Sequence, residues 1–369
     1  MTECENLFFE LVQVALGNRT SLNKCPTNEE WKAMLATAQK QAVAGFVFDV
    51  LELLSNQGQK PPSGVLFEWI GIAERIKQHN YLVNQRCKEL ETIFVDERFR
   101  CCVLKGQGTA LYYNNPSCRQ CGDIDLWVTI EGKGKREDVR SEVLRFVKRQ
   151  GYHVGHIDIK HSDIDFFKDV PVEVHFLPSW MYNPATNRKL QKYFEEQAEK
   201  QFLNYDAEAG FTHTTVDFDV VFSLVHIYRH VFDEGIGLRQ LLDYYHILIH
   251  STPEQRKDAL QVLRSLGMGR FAGGVMFVLE TCFLLPEDYL LCGIDEKHGQ
   301  FLLSEILLSG NFGHYDPRLK HQHKRNRFLN GWTNLKRNCR FLNYYPSEVL
   351  WSPLWKIWHW CWRKKHGYL

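Results

Sequence analysis

The sequence predicts an α+β protein: a small mixed β-sheet flanked by N-terminal helices and followed by a C-terminal helical domain. Three observations carry this. Apolar residues recur at helical spacing, about every 3.6 residues, before residue 98 and again from 187 to 309. Between 99 and 180 the pattern changes to short runs that alternate apolar and polar, which is strand spacing. Gly and Pro punctuate the changes, as at 57–64 and at Pro178. The expected units are 1–98, helical; 99–180, the α+β core; 181–317, a helical domain; and 318–369, a basic, aromatic C-terminal segment.

Taken in order, residues 5–16 (ENLFFELVQVAL) have helical spacing and stop at Gly17. Thr27-Asn28-Glu29-Glu30 opens a second helix with acid in its first turn, where carboxylates meet the positive end of the helix dipole. The small residues Ala36, Ala38, Ala42 and Ala44 suit close packing, and the reading stays helical from 35 to 54. The longest periodic segment runs from Val65 to about Arg98. The core then reads as a buried strand at 101–104, a Lys105-Gly106 turn, a short helix, a polar loop and a strand ending at Val128. A helix over 135–150 ends at Gly151. Alternating runs follow at 153–159, 162–168 and 170–176, the last two joined by a tight turn at Lys168-Asp169. Helices are expected at 187–203, 217–232 (with Asp217 or Asp219 as N-cap), 238–250, 253–266, 270–284 and 297–309.

The totals narrow the class. No apolar run approaches ~20 residues, and the N-terminus MTECENLFFELVQ is acidic where a signal peptide is basic. The expected location is cytoplasmic. The 11 cysteines are odd in number and irregularly spaced, which points to reduced thiols rather than a disulfide framework. A net charge of +1 hides an asymmetry: 318–369 holds 12 Lys/Arg and one acid, Glu348, while 1–317 holds 33 Lys/Arg and 43 Asp/Glu. The basic end has two readings, contact with phosphate-rich or membrane surfaces and pairing with the acidic body of its own chain.

The chemistry concentrates in 101–128, CCVLKGQGTALYYNNPSCRQCGDIDLWV. In its last segment Ile124, Leu126 and Val128 alternate with Asp123, Asp125 and Trp127, so a strand sets both carboxylates on one face. Two adjacent carboxylates on an otherwise apolar strand repel each other and lose solvation, a cost that a cation between them removes. Hard, hydrated Mg²⁺ prefers carboxylate oxygens plus a substrate phosphate. Lys105 and the backbone N–H groups after Gly106 offer that phosphate an ammonium and donors at a helix start. In VEVHF, Val172, Val174 and Phe176 form one face and Glu173 and His175 the other. If this strand neighbours 123–128, Glu173 joins the aspartates, and three carboxylates can hold two Mg²⁺ ions that clamp the attacking and leaving oxygens.

LKGQGTALYY, GDIDLWV, PVEVHF and HIYRHVFDEGIGLRQLLDYY, in that order, resemble the uncharacterised, mostly bacterial nucleotidyltransferase family of the DNA polymerase beta-like superfamily, over roughly residues 30–310. The resemblance implies a nucleotidyltransferase core with Asp123 and Asp125 as the metal-binding pair, Glu173 as the third acid, and Lys105 and Gly106 in the triphosphate turn. It also implies a cleft role for Arg239, on nucleotide or acceptor. The chain departs from the superfamily pattern where Gly-Ser or Gly-Gly is usual. Gly106 precedes Gln107, and Asp123 lies 17 positions later, after the insert NNPSCRQC.

The other candidates have plainer readings beside them. Asp163-Ile164-Asp165 lacks a preceding Gly turn, and Asp217-Phe218-Asp219 opens a helix as ordinary capping. Arg119 is placed to hold a phosphate bidentately or to face solvent. His226 and His230 share a helix face, but no HExxH surrounds them, so a cleft role for His230 and Arg229, or a hydrogen-bonded core role for the histidines, is favoured over zinc. Cys118-Arg119-Gln120-Cys121 is a lone CxxC, and Arg239 and Asp243 form an i,i+4 pair. In the tail, Trp351, Leu354, Trp355, Trp358, Cys361 and Trp362 fall at helical spacing, and docking on the body is favoured over membrane association. The functional expectation is transfer of a nucleoside monophosphate from an NTP to an unidentified acceptor (small molecule, protein or RNA), with pyrophosphate leaving. The alternative is a non-catalytic nucleotide-binding or antitoxin-like regulator on the same scaffold.

Overall fold

The computed structural model describes residues 2–130, 136–318 and 338–368. Most of the basic segment 318–340 therefore lies outside the described residues. The N-terminal helices are α1 (Glu3–Ala15), α2 (Asn28–Lys40), α3 (Ala44–Phe48), α4 (Leu51–Asn56) and α5 (Ser63–Asp96). Thr2 and Thr27 cap α1 and α2 through reciprocal bonds with Glu5 and Glu30. The helix read from 35 to 54 is broken. Ala42 takes a positive φ of 56°, and α2, α3 and α4 fold back on one another as three pieces.

The core then follows: β1 (Phe99–Val103), α6 (Gln107–Ala110), β2 (Ile124–Ile130), α7 (Arg136–Arg149), β3 (Val154–Ile157), β4 (His161–Ile164) and β5 (Val172–His175). The sheet order is β1-β2-β5-β4-β3, with β2 and β5 parallel and the other neighbours antiparallel. This is the mixed sheet the sequence predicts. The tight turn lies elsewhere than expected. It joins β3 to β4 around Asp158, whose carboxylate accepts the backbone N–H groups of Lys160 and His161. Residues 165–171 form a longer crossing, tied down where Arg86 of α5 grips Asp169 (Nε–Oδ1 3.1 Å, Nη2–Oδ2 2.6 Å).

Strand alternation decides what each face meets. Ile124, Leu126 and Val128 pack with Phe94 of α5 and Phe146 of α7. On the opposite face Trp127 lies 4.6 Å from the Phe202 ring and 6.0 Å from Phe218. Those rings belong to α8 (Pro184–Phe202) and α9 (Val216–Asp233), with the small ladder β6 (Tyr205–Asp206) and β7 (Phe211–Thr212) between them. The helical part continues through α10 (Leu238–His250), α11 (Pro253–Ser265), α12 (Gly269–Phe283) and α13 (Glu296–Ser309). Thr215, not Asp217 or Asp219, occupies the N-cap position of α9. The sheet is thus layered between helices, and Asp125 points into the α9 side.

The last helix, α14 (Pro346–Lys365), docks by a seam rather than by the whole predicted stripe. Val349 and Ser352 are buried, Trp355 stacks on Trp180 at 5.6 Å, and Trp362 lies under Arg140. Trp351, Leu354, Trp358 and Cys361 stay exposed because they sit beside the seam, one or two residues out of its 3–4 spacing. No helix among the described residues is long and apolar enough to cross a membrane.

Candidate functional site

Strand register assembles the site. The parallel β2–β5 pair sets Asp125 opposite Glu173, and the antiparallel β4–β5 pair sets Asp163 opposite Glu173 and His161 opposite His175. Residues directly paired across a sheet have their side chains within contact reach. Carboxylate oxygens of Asp123, Asp125 and Glu173 lie within 4.8 Å of one another.

Asp125 is 2% exposed, and its Oδ2 stands 3.0 Å from Lys105 Nζ and its Oδ1 2.8 Å from His175 Nε2. Neither contact has good hydrogen-bond geometry, so both buried oxygens meet only neighbouring charge. Burial opposes ionisation of Asp125, but the Lys105 ammonium and His175 outweigh it and hold the carboxyl well below the usual carboxylate range. Glu173 behaves likewise: burial opposes, His175 overcomes it, and the carboxyl sits at about 2. Asp123 moves the other way, raised first by the charge of Asp125 and then by burial. Burial works against the Lys105 ammonium, yet Asp125, Asp123 and Glu173 together keep it charged. Lys105 and His175 together therefore offset the acids.

Lys105 reaches this position because β1 ends beside β2, where the Leu104 N–H donates to the Asp125 carbonyl at 3.0 Å. The chain then turns through Gly106 at φ 64°, a left-handed conformation that side chains disfavour. The helix that follows is a single turn, Gln107–Ala110, so it offers a few N–H groups rather than a long helix dipole. The Lys105 ammonium also lies 3.4 Å from His226 Nε2 on α9. Burial, then Lys105, push the His226 pKa well down, so a neutral imidazole accepts from the ammonium.

Between this sheet edge and the helices lies a narrow cleft that opens to solvent. Lys105, Gly106, Asp123 and Asp125 line one wall, and His226 and Arg239 the other. Arg119 also lines it, but the edge expected to grip a phosphate is spent. Nε and Nη2 bind the two Asp243 oxygens at 2.7 and 2.8 Å, and Tyr113 OH donates to Asp243 at 2.7 Å. Arg239 donates to the Gln120 carbonyl at 2.8 Å, with its guanidinium over the Phe312 ring. Arg119 Nη1 and Arg239 Nε remain buried without a hydrogen-bond partner. Both residues line the cleft, across from the acids.

Other candidates fall elsewhere. His175 is buried between Asp125 and Glu173 rather than lining an open wall. His230 stands behind His226, rings 4.3 Å apart, with Glu234 3.3 Å from its Nδ1. Arg229 leaves the cleft for a buried junction with Asp233 and Glu348. Among the described residues neither His226 nor His230 belongs to a group able to hold a metal, and the same is true of the cysteines, all of which are free. The sequence reading did not single out His161, or Asp163 beyond setting it aside. Their only local signal was the polar face of a short strand.

A mixed sheet carrying three convergent carboxylates and a lysine paired with them, facing a helical wall across a cleft, is a nucleotidyltransferase type of scaffold. The chain belongs to the uncharacterised nucleotidyltransferase family, which matches residues 27–283, from α2 through the sheet to α12. None of the curated proteins compared with it matches.

Proposed function

We propose that the chain transfers a nucleoside monophosphate from a nucleoside triphosphate to an acceptor, with pyrophosphate leaving, and that it uses Mg²⁺. The observation that carries this is the β2–β5 register, which brings Glu173 beside Asp125 with Asp123 in the same oxygen cluster. The donor set suits a hard cation, because all three residues offer carboxylate oxygen and both Asp125 oxygens lack hydrogen bonds. Asp123, Asp125 and Glu173 would hold it; when bound, Mg²⁺ neutralises phosphate charge as the α-phosphorus is attacked.

The chain's own groups have separate parts in this reading. The Lys105 ammonium leaves Asp125 for the triphosphate as the acids take other charge. Gly106 lets the backbone approach that phosphate closely. Arg119 Nη1 and Arg239 Nε donate to nucleotide or acceptor oxygens from the far wall. Glu173, more exposed than Asp125, takes the proton of the attacking hydroxyl. Phe312 and the α9 wall exclude water from the reacting phosphorus.

The test is incubation with each α-labelled nucleotide, Mg²⁺ and cell extract, following label into an acceptor and pyrophosphate into solution. Activity that survives Asp123→Asn would end this assignment. A second reading, nucleotide binding without transfer, is favoured by one observation: Lys105 already neutralises Asp125 at 3.0 Å. Calorimetric nucleotide binding without pyrophosphate release in any extract would select it.

A further inference from the structure

We propose that His161, Glu173 and His175 form a second cation site, one that takes a first-row transition ion of the Zn²⁺ class rather than Mg²⁺. The two imidazoles come from neighbouring strands paired in register, His161 on β4 and His175 on β5. Both aim a ring nitrogen at the same oxygen. His175 Nε2 lies 3.2 Å and His161 Nδ1 3.5 Å from Glu173 Oε2. All three donor atoms fall within 4.8 Å of one another. Zinc bonds of about 2.0–2.1 Å at tetrahedral angles separate neighbouring donors by roughly 3.3 Å, so both distances fit an ion at their centre.

The outer nitrogens support the same assignment. His175 Nδ1 is hydrogen-bonded to the Leu177 carbonyl at 3.2 Å, while His161 Nε2 lies 3.4 Å from Asp163 Oδ1 without a hydrogen bond. A ring N–H held by a carbonyl or carboxylate leaves the other nitrogen with its lone pair inward, which is how metal-binding histidines are oriented. For His175 that inward nitrogen faces two carboxylates, Asp125 at 2.8 Å and Glu173 at 3.2 Å, to which it turns a proton in the ion-free chain. A cation held between the three would take that proton's place. His161 Nδ1 is buried and makes no hydrogen bond; besides Glu173 it has the Asp158 carboxylate 3.9 Å away.

Two imidazoles and one carboxylate form the donor set of open zinc sites, and imidazole suits Zn²⁺ and its neighbours rather than Mg²⁺. Glu173 also belongs to the acid cluster and keeps its second oxygen for it. The outward side is open, because the Glu173 side chain is 28% exposed. The site does not depend on nucleotide transfer: its readouts need no nucleotide, and pyrophosphate release tests the other reading separately.

The experiment uses the full chain stripped with a chelator. Co²⁺ is titrated while the visible ligand-field band is followed, and Zn²⁺ affinity is read by displacement. One equivalent of Co²⁺ should give an intense four- or five-coordinate band that equal Mg²⁺ leaves unchanged. His161→Ala and His175→Ala should each abolish the band and weaken Zn²⁺ by at least about tenfold. X-ray absorption of the Zn²⁺-loaded wild type, which needs no variant, should show two imidazole ligands. No stoichiometric binding, an oxygen-only shell, or a band that survives both histidine variants and vanishes in Asp123→Asn would overturn the proposal.

Discussion

Lys105 Nζ stands 3.0 Å from Asp125 Oδ2, an ion pair whose carboxylate is wholly enclosed and whose ammonium reaches the cleft. The pair joins the end of β1 to the start of β2, and His175, 2.8 Å from Asp125 Oδ1, is the second partner of the same carboxylate.

Lys105→Met removes the ammonium beside Asp125 and leaves His175, 2.8 Å from Oδ1, as its remaining charged partner. Removing one partner of a buried pair costs roughly 3–5 kcal/mol, and with His175 still in place urea unfolding at pH 7 should show a smaller loss. Added Mg²⁺ should recover part of it in the variant and much less in the wild type. A cation that binds only the folded state stabilises by mass action, and the variant offers it the vacated negative charge. Unfolding curves for both proteins with and without MgCl₂ make the comparison.

Asp123→Asn should raise stability while ending transfer. The Asp123 carboxyl is raised by the Asp125 charge and by burial, so its ionised form is disfavoured in the folded chain. A neutral amide removes that repulsion, and a gain on the order of 1 kcal/mol is expected at neutral pH. At pH 3, where the wild-type group already carries its proton, the gain should shrink. Thermal unfolding at the two pH values measures the difference. A destabilised variant at pH 7 would show that Asp123 is held by favourable contacts instead.

The alternation in DIDLWV and VEVHF was enough to set Asp125 and Glu173 on inward faces, because strand period is a local property. Their pairing was not local. Which strand lies beside which depends on the crossing through 165–171, and the expected turn at Lys168-Asp169 fell instead at Asp158. That shift is why Asp163, set aside for lacking a Gly turn, ends up opposite Glu173 with His161 close by. Most helices, starting with the one that ends before Gly17, were legible because their apolar stripes and caps are contiguous in sequence. Ala42 was not: no residue type announces a left-handed alanine, and the break in the 35–54 helix comes from packing. Arg119 looked free for a phosphate because Asp243, which takes its bidentate edge, is 124 residues away.

Asp219 makes stability fall as pH rises. It is fully buried on α9, where burial pushes its carboxyl up to about 8, although the Tyr112 hydroxyl donates to it at 3.1 Å. The folded chain keeps this proton while the unfolded chain loses it near the ordinary value of 3.8. Its contribution is therefore complete below the ordinary value and is lost progressively as pH rises to about 8, by at most roughly 6 kcal/mol. Asp219→Asn should flatten this slope between pH 5 and 8. Chemical denaturation across that interval compares the two proteins, and equal slopes would place the falling stability on another group.

Glu348 latches α14 to the body. Its buried carboxylate accepts the backbone N–H groups of Tyr182 and Asn183 at 2.8 and 3.1 Å and meets Arg229 Nη1 at 3.1 Å. Arg229 is buried too and keeps Asp233 as a second partner, so it is not left without counter-charge when Glu348 is removed. Glu348→Ala should therefore cost about 2–3 kcal/mol, less than breaking an isolated buried pair. Two backbone donors lose their acceptor, and the junction that seats Trp355 on Trp180 and Tyr182 loosens. Limited proteolysis should then release a fragment from the chain's C-terminal end at a protease level that leaves the wild type intact, while Trp fluorescence shifts to the red. Glu348→Gln keeps the acceptor oxygen and should restore most of the resistance. If both variants were cut at the same rate, charge pairing with Arg229, rather than the backbone bonds, would hold the helix in place.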